Sequence, residues 1–298
     1  MTAILCGIYR DFESGFLSKL TNLVKSDSTL NMEFRCKSKS INLYYRGGNI
    51  LRVTKSTNDT YNIYFDRNFL SDSKIIERLP KKVQNEKEIA EWINVFPILK
   101  NAMDHFFTKI QKNERFFQQL VVYDNNISKT ARSTDYYICD TEFVINDTQF
   151  DMIGVRWPSS SVQRKNNEKL KLAIIEMKYG DDAITGDSGI VDHFSKFMKT
   201  ADELPRIARS AECTFNCKLE LGLIDCGKSI KDISADNPEY ILLLANHDPQ
   251  KSNLKKELIK LKHLNKGMFD VKIATSSCMG YGLYQENMID LDTFIEKI

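Results

Sequence analysis

The run LKLAIIEMKYG, residues 170–180, constrains the fold more than any other stretch of the chain. Side chains alternate faces along a strand, so Leu172, Ile174, Glu176 and Lys178 share one face and Ala173, Ile175 and Met177 the other. Both faces begin apolar, which describes an interior strand of a sheet covered on both sides. A carboxylate and an ammonium at the end of such a strand are costly unless they are paired or hold an ion. A Glu–Lys ion pair where the sheet meets water meets that requirement, and the spacing E-x-K alone asks for nothing more.

The neighbouring segments add to it. YYICDTEFVI and QFDMIGVRW read as two strands joined through the turn residues NDT, and KLAIIEMK is the third. A glycine-bearing loop, YGDDAITGDSG, leads into a helical pattern at GIVDHFSKFMKTADEL. EYILLLAN, residues 239–246, is a short apolar strand, and FDVKIAT, residues 269–275, another. Three sequential strands, a crossover helix and a further buried strand imply an α/β (α+β) mixed sheet with helices on its faces.

The first hundred residues have a different texture. Phe12, Phe16, Leu17, Leu20 and Leu23 recur at helical spacing, and residues 32–66 read as an antiparallel meander with a hairpin turn at Gly47-Gly48. Residues 89–122 read as helical, with Pro97 expected to split them into two helices or a kink. We therefore expect an α+β module over residues 1–100 and a larger domain over 101–298.

Asp151 opens the FDMIGV strand among apolar residues, and Glu142 lies on the strand before it. Mg²⁺ takes oxygen ligands, commonly one or two carboxylates with water and substrate phosphate. Asp151 and Glu176 on adjoining strands would supply such a pair, with Glu142 completing the shell or serving a second ion. Lys178, two residues from Glu176, would position the attacking water or stabilise charge on the phosphate.

FD(151)…E(176)MK(178), on three sequential strands after a helix, resembles the PD-(D/E)XK nuclease superfamily, in an uncharacterised bacterial branch. The similarity runs from about Asn113 to Ala274, with Phe150 in the place of the proline. It implies a restriction-endonuclease-like fold, cleavage of nucleic acid with DNA favoured over RNA, and Mg²⁺ as cofactor with Mn²⁺ able to substitute. It implies Asp151 and Glu176 as metal carboxylates, Lys178 as catalytic lysine, and Glu114 on the preceding helix as a further acid. Defence against foreign DNA is the setting it suggests. A module that keeps this fold without turnover, binding nucleic acid or a protein partner, is the rival reading.

Other positive groups are weaker candidates for nucleic-acid contact. His193 and Lys196 share a helix face three residues apart, and Arg46 sits with Tyr44 and Tyr45 beside the Gly47-Gly48 turn. Lys251, Lys255, Lys256, Lys260 and Lys262 make a basic helix that could track a phosphate backbone, although its ordinary reading is a solvated face. The net charge of +2 argues for no partner, although residues 1–130 carry about +6 and the remainder about −4. A protein partner or a second copy would meet the first module.

No apolar run reaches the roughly 18–20 residues of a membrane span, and MTAILCGIYRDFESG has no basic n-region, so no membrane and no signal peptide are expected. The seven cysteines form no dense framework and suggest reduced thiols in a cytoplasm. Cys213, Cys217 and Cys226 lack the paired spacing of a zinc site and read as semi-buried thiols.

Overall fold

The computed structural model describes residues 2–35, 38–56, 60–70, 74–110, 112–167, 169–246, 252–276 and 281–298. It is a mixed α and β protein with two sheets, divided into two compact units. The first unit is Met1–Gln119 with Glu220–Leu223, and the second is Leu120–Leu219 with Ile224–Ile298. Among the described residues no helix is long and apolar enough to cross a membrane.

In the first unit, α1 (Thr2–Glu13) and α2 (Ser18–Ser26) precede the strands β1 (Leu30–Arg35), β2 (Ser40–Tyr45), β3 (Gly48–Lys55) and β4 (Tyr61–Tyr64). A single turn, α3 (Lys74–Glu77), leads to the short β5 (Lys82–Val83), and the five strands pair in sequence order, all antiparallel. The β2–β3 hairpin turns on Arg46 and Gly47, with φ of 49° and 73°, the double positive φ that a two-residue hairpin needs. A Cβ at Gly47 would also come within 2.3 Å of Arg115 Cβ, so glycine is required twice over.

α4 (Glu86–Lys109) differs from expectation: it runs unbroken through Pro97. Its stripe of Ile89, Trp92, Phe96, Leu99, Met103 and Phe107 is buried at intervals of three and four residues. That burial outweighs the roughly 3 kcal/mol an interior proline costs. Asn85 starts the helix by accepting the Glu88 N–H at 3.0 Å. The break falls later, before α5 (Asn113–Asn126), and the boundary between units lies inside α5, after Gln119. A boundary at residue 100 would cut α4 in its middle, across the stripe that holds the first unit together.

The second unit continues with β6 (Tyr136–Ile145), β7 (Thr148–Arg156), the short α6 (Ser161–Asn166), β8 (Lys171–Tyr179), α7 (Ile190–Met198), α8 (Leu204–Glu220) and β9 (Ser234–Ala245). It closes with α9 (Ser252–Asn265), β10 (Asp270–Ser276), β11 (Ile289–Asp290) and α10 (Leu291–Lys297). Across the sheet the strands stand in the order β11-β10-β9-β8-β7-β6. β6, β7 and β8 are antiparallel, β8, β9 and β10 parallel, and β11 antiparallel at the edge. The Asn146-Asp147 turn between β6 and β7 again has two positive φ values, 45° and 62°.

β8 and β9 lie at the centre, and from Tyr240 to Ala245 β9 is wholly buried. On the face of β8 that carries Leu172 and Ile174, the core is aromatic: Phe194 and Phe197 of α7 pack around Tyr240 and Phe269. α8, with Cys213 and Cys217, was not anticipated as a helix, because its polar and small residues interrupt the apolar stripe of Ile207, Ala208, Ala211 and Phe215. Cys139 is buried and Cys213, Cys217 and Cys226 are half-buried, and the side chains of Cys6, Cys36 and Cys278 lie outside the described residues.

Candidate active site

Two strands bring the site together. The antiparallel β7–β8 pairing runs from Arg156–Lys171 to Met152–Ile175, and one further step sets Asp151 opposite Glu176. There the ladder ends. The next β8 N–H on that side, Met177, donates to Asp151 Oδ2 at 2.8 Å instead of to a β7 carbonyl. The carboxylate of Asp151 is thereby fixed at the end of the sheet by main chain.

Glu176 and Lys178 point to the face shared with Leu172 and Ile174, as alternation requires. Lys178 Nζ donates to Glu176 Oε1 at 2.6 Å. The same oxygen meets His193 Nδ1 from the first turn of α7. Residues Glu176, Lys178 and Asp151 are only 3%, 2% and 6% exposed, so their charges act on one another with little screening by water.

The His193 ring is shifted toward its neutral form. Burial lowers its pKa below 6.5, and the charge of Lys178 lowers it further. A neutral ring touching a carboxylate through Nδ1 carries its proton there, so Nε2 keeps an acceptor lone pair. The cluster sets two acidic side chains, Asp151 and Glu176, beside one lysine and one histidine, and the two acids offer the oxygen atoms that a cation takes. Met177 N–H donates to Asp151 Oδ2, and Lys178 and His193 both meet Glu176 Oε1. This donor set fits Mg²⁺, which needs only one or two carboxylates beside water and substrate oxygen. Among the described residues no three His, Cys, Asp or Glu side chains stand close enough to hold an ion by themselves.

The remaining expected residues fall elsewhere. Glu142 stands opposite Asp151 in the β6–β7 register, but its φ is +52°, it is half-buried, and its Oε2 accepts from Gln149 Nε2. The register shift at Cys139, clamped by Asn126 on both sides of Ile138, precedes this local turn of the strand. Glu114 lies in the first turn of α5 and belongs to the first unit, outside the unit in which the other residues gather.

Lys196 pairs with Asp192 one turn away at 2.6 Å on the surface of α7. Arg46 is committed to its own unit, since it bonds Asp104 at 2.8 Å and lies over the rings of Phe107 and Phe116. Three lysines of α9 are also engaged, Lys255 with the Ile298 carbonyl, Lys260 with Glu257 and Lys262 with Asp292, and Lys251 lies outside the described residues. Comparison with known protein families, with curated proteins and with solved structures finds no match.

One residue of the site was missed from the sequence. Tyr240 lies beside Ile174 in the β8–β9 pairing, on the site face, 1% exposed. Burial raises its pKa well above 10, and the charges of Glu176 and Asp151 push it further up. Within EYILLLAN it read as one more apolar core residue; only the register places it on the face that carries Glu176.

A second buried carboxylate lies on the opposite face. Glu239 pairs with Ala173 and accepts from Tyr136 Oη at 2.7 Å and from Arg156 at 2.8 Å. Both oxygens are satisfied by protein donors, and small residues at Gly154 and Ala173 let the long side chains meet across the sheet. This group secures the sheet and is separate from the Asp151–Glu176 pair.

Proposed function

We propose that the protein is a metal-dependent nuclease that hydrolyses phosphodiester bonds of nucleic acid, with DNA favoured. The observation that carries the reading is Asp151, just past the end of the β7–β8 ladder, bonded to the Met177 N–H between Glu176 and Lys178, which pair with each other. The order helix, three antiparallel strands, helices and a parallel strand supports a restriction-endonuclease-like core around it.

Asp151 and Glu176 would hold the Mg²⁺. When bound, the ion would supply Lewis-acid stabilisation of the phosphate and a more acidic water. Asp151 keeps its orientation through the backbone N–H of Met177, a donor fixed by strand β8. His193 holds Glu176 from α7 and fixes which oxygen faces the helix. Lys178, paired with Glu176, would lie against the charge that builds on a phosphate as its bond breaks.

The test is cleavage of DNA and RNA by the purified chain in Mg²⁺ or Mn²⁺. Glu176→Gln and Asp151→Asn keep shape and hydrogen-bonding capacity and should lower the rate by about 10²–10³-fold or more. Equal cleavage by parent and variants would end the assignment. The contacts of Glu176 with both Lys178 and His193 favour one other reading, a self-contained polar network in a binding module without turnover. That module would bind nucleic acid without cutting it and would take up no Mn²⁺ through Asp151.

A further inference from the structure

The Tyr240 hydroxyl is a buried polar group, on the sheet face that carries Glu176, that the described protein atoms leave unpartnered. Buried hydroxyls are almost always hydrogen-bonded, because leaving one unmade forfeits its hydration with no return. A phenylalanine would fill the same ring site without that loss. The ring is tightly placed: Phe194 meets it edge-on with centroids 4.9 Å apart, and Phe197 lies tilted at 5.0 Å. Phe194 follows His193 on α7, so the helix that holds Glu176 also fixes this ring. The hydroxyl is within the electrostatic reach of both Glu176 and Asp151, yet bonds to neither.

We propose that Tyr240 is a positioning residue of the metal site, its hydroxyl holding an oxygen ligand, water or phosphate, of a divalent cation bound by Asp151 and Glu176. This rests on the metal-site reading above and assigns that site a further group from a different strand. The hydroxyl bonds to neither carboxylate, and a small oxygen species on a cation held by them would give it the partner it lacks. Burial keeps the phenol protonated, so it can donate to an oxygen that carries negative charge.

The experiment compares the parent, Tyr240→Phe and Asp151→Asn by Mn²⁺ titration calorimetry and by urea unfolding without metal. The expected result is that Tyr240→Phe binds Mn²⁺ about 10-fold more weakly, the scale of losing a partner behind the ligands, while its metal-free stability is unchanged or higher. Unchanged Mn²⁺ affinity in Tyr240→Phe, with binding abolished in Asp151→Asn, would overturn the role of Tyr240 and leave the metal site standing. Lower metal-free stability with unchanged affinity would show a structural partner for the hydroxyl and overturn it likewise. A parent that binds no Mn²⁺ would overturn this inference together with the reading it rests on.

Discussion

Lys178 Nζ lies 2.6 Å from Glu176 Oε1, and both side chains are almost wholly out of water. Removing one partner strands the other's charge in the interior, at a cost of about 3–5 kcal/mol. Lys178→Met should therefore lower stability by that order, and adding Glu176→Gln to it should recover a large part. A double-mutant cycle by urea unfolding measures the coupling. For the same reason Glu176→Ala is a poor probe of chemistry: it removes a partner of Lys178 as well as a carboxylate.

Asp151 is linked to Met177 through one side-chain oxygen. Asp151→Asn retains an acceptor for that N–H and should change metal-free stability by under about 1 kcal/mol, whereas Asp151→Ala leaves the N–H unpaired and should cost about 1–3 kcal/mol. Both should lose Mn²⁺ binding. Calorimetry beside urea unfolding separates the two effects.

The Tyr136–Glu239–Arg156 group gives the opposite pattern. Burial, then the nearby Glu239 charge, keeps the Tyr136 phenol protonated far into alkali. Tyr136→Phe removes a buried donor and should cost about 1–3 kcal/mol of stability. Cleavage per folded molecule should be unchanged, because the group lies on the face of the sheet away from Asp151 and Glu176. An activity loss greater than the loss of folded protein would contradict that separation.

In the first unit, Tyr45 donates to both oxygens of Asp104 at 3.0 Å. Burial, and then the Asp104 carboxylate, push its pKa up to about 12 from the ordinary 10. The folded state therefore favours the protonated phenol. Its contribution to stability is complete below pH 10 and disappears as pH rises through about 12. Urea unfolding across that window should show the decline in the parent and a flatter profile in Tyr45→Phe.

Much of this arrangement was legible in the sequence because short-range physics dictates it. The two-residue turns at Gly47 and at Asn146-Asp147 announce their hairpins, and the buried run from Tyr240 to Ala245 announces a central strand. Glu176 and Lys178 were placed by the two-residue period alone. What was misjudged depends on packing at a distance. Pro97 continues a helix because six buried residues hold it, and residue 100 looked like a boundary only while α4 seemed broken. Arg46 looked available until Asp104, Phe107 and Phe116 met it. Tyr240 joins the site through the β8–β9 register, which no local pattern reveals.

The most direct measurement is Mg²⁺- or Mn²⁺-dependent cleavage of DNA and RNA by the parent beside Glu176→Gln and Asp151→Asn, each confirmed as folded. Metal-dependent cutting by the parent, reduced by about 10²–10³-fold or more in both variants, is the predicted result. No cutting by the parent with either metal, or equal cutting by all three proteins, would contradict it.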